Sequence, residues 1–239
     1  LRVPELPLSE NQRSRIAASP LTPRETLREI GSAFMEMPRP MRQLAVAMLC
    51  QWYAMFVYWQ YIAFALSRSL HGTADTSSPQ FREAALSAQQ LGAVYNAIAF
   101  VAALGLIPIV RRLGARRVHA VCLAASGAAM LTIPATGSFT LLMFVMVGIG
   151  LGWAGMMGNT YVMLADSIPP ARTGVYMGVF NIFIVVPMLV ETVTMPLIYR
   201  PLLGGDPRNA LILAGVLMLL GAVTTLLVAA GDPPERSGS

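Results

Sequence analysis

The chain has no lysine, only two histidines (His71 and His119), two cysteines (Cys50 and Cys122) and few acidic side chains. Each shortage excludes something. An enzyme needs a clustered set of His, Asp or Glu, and the two histidines fall on opposite sides of the topology derived below, so no catalytic constellation forms. The cysteines have neither a CxxC spacing nor a framework of partners, which leaves them as packing residues and gives no basis for a metal or other cofactor. Charged residues make up 12% of the chain against 55% hydrophobic, and the mean hydropathy is +0.60. A soluble domain of that composition would lack polar cover.

What is present is a series of long apolar runs. A hydrocarbon core of about 30 Å takes roughly 20 mainly apolar residues to cross. Six runs qualify, at 43–66, 91–110, 118–134, 141–164, 175–198 and 210–230. None alternates apolar and polar residues as barrel strands do, and bare backbone finds no partners in lipid, so each is expected to be a helix. The fold class expected is an all-α integral membrane bundle of six transmembrane helices.

All 17 basic residues are arginine, giving a formal charge of +5. Their positions argue against nucleic acid as the partner and for a membrane. Seven precede the first run, four fill the second connection (Arg111, Arg112, Arg116, Arg117), and Arg172 and Arg236 follow on the same side. Only Arg68, Arg82, Arg200 and Arg208 lie opposite. This excess predicts that both termini and the second and fourth connections are cytoplasmic. A bacterial inner membrane is the expected location, with the lipid bilayer as a partner.

Residues 1–40 read as a cytoplasmic linker, 41–231 as the transmembrane bundle and 232–239 as a cytoplasmic tail. Within the linker, Thr22, Pro23 and Glu25 form a capping box, and Leu27, Ile30 and Phe34 then make a short apolar stripe. The connection at 67–90 is the longest after the linker and suits a short separate helix at 80–87. A linker plus six spans is the form of one half of a two-half transporter, and the start reads as truncated, so a further N-terminal six-helix half is an expected partner.

Several side chains could carry function. On the first span, Trp52, Tyr53, Phe56, Trp59 and Gln60 fall within an arc of about 120°, next to Gln51. A face of aromatic rings with polar tips suits a sugar, which presents both C–H faces and hydroxyls. It equally suits helix packing and, for Trp59 and Tyr61, an interfacial aromatic belt. Asn96, Asn159 and Asn181 are amides within spans, positioned either to touch substrate or to bridge helices. Glu191 is the one acidic residue well inside a span and is a candidate coupling site, or a group snorkelling toward an external gate. Gly150, Gly152 and Gly155 spell GxGxxG, but no strand precedes them, so they read as close-packing positions together with Gly148 and Gly158. Pro187 and Pro196 interrupt the amide ladder of the fifth span.

The segment 165–181, Ala-Asp-Ser-Ile-Pro-Pro-Ala-Arg-Thr-Gly-Val-Tyr-Met-Gly-Val-Phe-Asn, followed by Pro187, resembles the sucrose and maltose symporter group of the major facilitator superfamily. The likeness runs from Met37-Pro38 onward. The connection Arg111-Arg112-Leu113-Gly114-Ala115-Arg116-Arg117 is similar to the superfamily's loop between helices eight and nine, without the acidic residue that often precedes its first Arg. The resemblance implies half of a 12-helix fold, its helices seven to twelve. It also implies cation- or proton-coupled uptake of a sugar such as a disaccharide by alternating access. Arg111, Arg112, Gly114, Arg116, Arg117, Asp166 and Arg172 would then form a cytoplasmic gate. A drug or other small-molecule carrier, or a non-transporting sensor with a permease fold, are the competing readings.

Overall fold

The computed structural model describes residues 28, 31–32, 34–165, 168 and 173–229. The chain divides into two units, 1–37 and 38–239. In the first, residues 34 and 35 are helical, and Phe34 and Met35 are exposed. The Thr22 capping box lies outside the described residues.

The second unit is a helical bundle: α1 (Arg39–His71), α2 (Pro79–Leu113), α3 (Ala115–Thr132), α4 (Phe139–Ala165), α5 (Thr173–Ile198) and α6 (Pro207–Leu226), with a 3-10 turn at Ile133–Ala135. Five of them, α2 to α6, are long and apolar enough to cross a membrane. The 33-residue α1 has ample length, about 50 Å, but its amides, aromatic hydroxyls and arginines dilute its apolar content. It can carry them because it lies beside α2, α5 and α6, with neighbours on most sides.

The separate short helix expected at 80–87 is the first part of α2. Ser78 caps it, its side chain accepting from the Phe81 amide at 3.2 Å, Pro79 sits in the first turn, and nothing breaks the helix before Leu113. Gly114, at φ 84 and ψ 143, then turns the chain directly into α3, a conformation that disfavours any residue with a Cβ. Pro187 and Pro196 both lie within a continuous α5.

Apolar burial does not drive helices together in lipid, so contact depends on how closely backbones approach. On α4, a Cβ at Gly148 would stand 2.6 Å from the Ala125 carbonyl oxygen, and one at Gly155 would stand 2.9 Å from the Cys122 Cβ. This glycine row seats α4 against α3. Opposite, α2 is the least enclosed helix: only 11% of its most apolar window is buried, against 56% for α3. Phe100, Val101 and Leu104 are exposed along it.

Candidate functional site

The functional candidates on α1 project toward three different neighbours. Successive residues of a helix are turned by about 100°, so Gln51 and Trp52 cannot share a surface although they are adjacent in sequence. Gln51 is fully buried against α3: His119 Nε2 donates to its Oε1 at 2.9 Å, and its own Nε2 donates to the Met48 sulfur at 2.9 Å. Both ends of the amide thus have a partner within the bundle.

Trp52 and Trp59, seven residues apart, both meet Trp153 of α4 edge-on, with ring centroids 6.0 and 5.4 Å away. Phe56 packs edge-on against Trp59 at 6.4 Å, and the Trp59 indole donates to the Tyr95 hydroxyl of α2 at 3.1 Å. The Trp52 indole N–H is buried without a partner.

Tyr53 and Gln60, also seven apart, face α5. The Tyr53 hydroxyl is hydrogen-bonded to the Thr194 hydroxyl at 2.8 Å, and Gln60 Nε2 donates to Glu191 Oε2 at 2.8 Å. Glu191 is fully buried, while Gln60 itself is exposed. The other carboxyl oxygen, Oε1, has no hydrogen-bond partner. A buried acceptor in that state costs about 1–3 kcal/mol unless a proton, cation or water meets it.

Between α2 and α4 runs a cleft of about 620 Å³. Asn96, Asn159, Trp153 and Arg111 supply its polar groups, and Phe100, Ile107, Val110, Met157 and Val162 supply apolar wall. Asn96 is exposed and donates to the Gly92 carbonyl of its own helix at 2.8 Å, which leaves its side-chain oxygen available to accept. Asn159 is 4% exposed, and its Nδ2 has no partner. Asn181 is exposed on α5 and lies outside this cleft.

At the arginine-rich end, Arg111 and Arg112 occupy the last turn of α2, where cations complement the helix dipole, and Arg116 and Arg117 the first turn of α3, where they do not. Arg116 finds a different partner, donating to the Val228 carbonyl beyond the end of α6. The Ala229 amide donates to Gln43 Oε1 at 2.7 Å, so the start of α1, the start of α3 and the end of α6 are tied together. Asp166 and Arg172 lie outside the described residues.

Sequence reasoning missed Trp153, His119, Tyr95 and Thr194. The signal for Trp153 was available: it is the one Trp of a Gly-rich span and therefore a bulky side chain where the backbone is otherwise bare. For His119 no signal existed, since its partner Gln51 is 68 residues away.

Long apolar helices that enclose the Asn159 amide and the Glu191 carboxyl fit an integral membrane protein. The model of the Major Facilitator Superfamily matches residues 44–239, and the chain belongs to that superfamily, whose members are transporters and not enzymes. Neither curated proteins nor solved structures give a match to this chain.

Proposed function

We propose that this chain is the C-terminal six-helix half of a cation- or proton-coupled sugar carrier that works by alternating access. Its site would lie on the α1, α2 and α4 surface, and α1 would be the sixth span. The observation that carries the reading is the Asn159 amide, buried and unpaired at the wall of the same cleft as Trp153. An orphaned donor next to an aromatic surface is completed by a solute that brings hydroxyl acceptors and an apolar face together. Trp153, Asn159 and Asn96 would touch that solute. Trp52, Phe56 and Trp59 would hold Trp153 in place, and Tyr53, Gln51 and Asn181 would act in the helix framework.

Glu191 would be the coupling residue. Its unpaired Oε1 can take a proton or face a cation, and Gln60 keeps the carboxyl oriented whichever it holds. Arg111, Arg112, Gly114, Arg116 and Arg117, with Asp166 and Arg172, would form the cytoplasmic gate, and both termini would lie on the cytoplasmic side of a bacterial inner membrane. An N-terminal six-helix half would complete the carrier.

The apolar wall of the cleft favours a second reading, a carrier of amphipathic small molecules or drugs. A competition panel on cells expressing the full-length gene separates the two. Uptake of a labelled disaccharide, blocked by glycosides and insensitive to hydrophobic cations, supports the sugar carrier. Efflux of lipophilic dyes with no sugar uptake would replace it.

A further inference from the structure

At the end of the bundle away from the arginine-rich connection, a second pocket of about 200 Å³ lies between the last turn of α1, the α1–α2 connection and the α5–α6 connection. Its walls are held by contacts that need no ligand. Phe64 and Phe81 pack with centroids 5.3 Å apart, and Tyr61 packs on Tyr199 at 5.2 Å. Ser67 Oγ donates to the Thr73 carbonyl at 2.8 Å, just beyond the left-handed Gly72 that ends α1.

Arg68 lines this pocket, partly buried, together with Tyr199. Among the described residues its guanidinium makes no hydrogen bond and no ion pair. The Asp206 carboxylate, on which Arg68 acts, is already occupied: Arg208 Nε lies 3.1 Å from both Asp206 oxygens, and Arg208 Nη2 donates to Oδ2 at 2.7 Å. Asp206 Oδ1 also accepts from the Arg208 amide at 2.9 Å, capping α6. Arg68 is therefore a forked cation with donors to offer, next to a phenolic hydroxyl and a pair of aromatic rings. That combination recognises a planar anion with an apolar body.

We propose that this pocket binds a small organic carboxylate, with Arg68 as its counter-ion, the Tyr199 hydroxyl as a second donor and the Phe64–Phe81 pair against its apolar part. The volume matches that of about seven liquid waters, room for a benzoate-sized anion and too little for a disaccharide. The occupant would touch the ends of α1 and α5 and the connections leading into α2 and α6, and so would hold these ends of the bundle together. Nothing in this proposal depends on the solute carried in the α2–α4 cleft.

The test is a fluorine NMR titration of 4-fluorobenzoate against the purified chain in neutral, lipid-free detergent. Saturable line broadening is expected, with none for the uncharged 4-fluorobenzamide. Arg68→Gln should weaken binding by about tenfold or more, Arg68→Lys by less, and Arg200→Gln, exposed at the same end, not at all. Melting of each unliganded variant checks its fold, and Tyr199→Phe, expected to weaken binding several-fold, replaces Arg68→Gln if that variant does not fold. No binding, equal binding of the benzamide, or unchanged affinity in a folded Arg68→Gln or Tyr199→Phe protein overturns the proposal. So does displacement of 4-fluorobenzoate by dilute phosphatidylglycerol, which would reassign Arg68 to a lipid phosphate.

Discussion

Gln60 holds Glu191 by a single 2.8 Å hydrogen bond between α1 and α5, and it reaches from an exposed position to a fully buried one. The pair joins the polar helix of the bundle to α5, which also meets α4 where Tyr161 packs on Phe180 with centroids 5.0 Å apart. A change of charge at Glu191 therefore acts at the α1–α5 contact, beside the Tyr53–Thr194 hydrogen bond.

Glu191→Gln is expected to abolish accumulation of solute above its external concentration while leaving exchange across the membrane in place. Counterflow measured beside net uptake in the full carrier distinguishes these. Gln60→Ala should give a milder version of the same defect, since an interhelical polar bond in lipid is worth only about 0.6–2 kcal/mol. Equal loss of exchange and accumulation in Glu191→Gln would assign the residue to structure.

Gly148→Leu should destabilise the bundle by about 1–3 kcal/mol or prevent assembly, because its Cβ alone would stand 2.6 Å from the Ala125 carbonyl. Gly158→Ala, on the same helix with no neighbour within 4 Å, should be neutral or slightly stabilising. Unfolding in mixed detergents compares the two. A similar cost for both would mean that close approach to α3 is not what the glycine row provides.

Gln51→Leu strands a ring nitrogen of His119 and should cost about 1–3 kcal/mol, whereas the double variant Gln51→Leu/His119→Phe should cost less than the two single changes added together. Additive costs in a double-mutant cycle would show that the two side chains are not coupled.

How much of this was legible from sequence differs from element to element. Five helices carry the expected apolar runs, and the α1 aromatics sit at the expected helical spacing. The start of α2 at Pro79 was also encoded locally, by Ser78-Pro79 followed by a stretch with no Gly or Pro before Gly92; only its polarity made it read as a separate piece. The partners of each face were not legible. In lipid every exposed face is apolar, so the contrast that orients a soluble helix is missing. Gln51 and Trp52 read together as one surface, and only packing shows them pointing to α3 and α4. Trp153 depends in the same way on which neighbour the glycine row of α4 selects.

The Asp206–Arg208 clasp predicts an acid limit at the far end of the bundle. Hydrogen bonding to the Arg208 side chain, with smaller help from Arg68, holds the Asp206 carboxyl below its ordinary value of 3.8. The unfolded chain thus takes up the proton first as pH falls, so this contribution to stability is present above the ordinary value and is lost as pH drops through the lower, folded one. Melting of the wild type should fall across that window, and Asp206→Asn should be flatter there while melting lower at neutral pH. An identical slope for both proteins would remove the clasp from the acid response.

The central claim, that the cleft between α2 and α4 carries the solute, is tested most directly by saturation kinetics of disaccharide uptake in cells expressing the full-length gene with Asn159→Ala or Asn181→Ala. Membrane levels of each variant should be matched first. Asn159→Ala should raise the apparent KM by about tenfold or abolish uptake, and Asn181→Ala, outside the cleft, should leave KM unchanged. An unchanged KM for Asn159→Ala together with a raised KM for Asn181→Ala would contradict the account and move the site to the exposed face of α5.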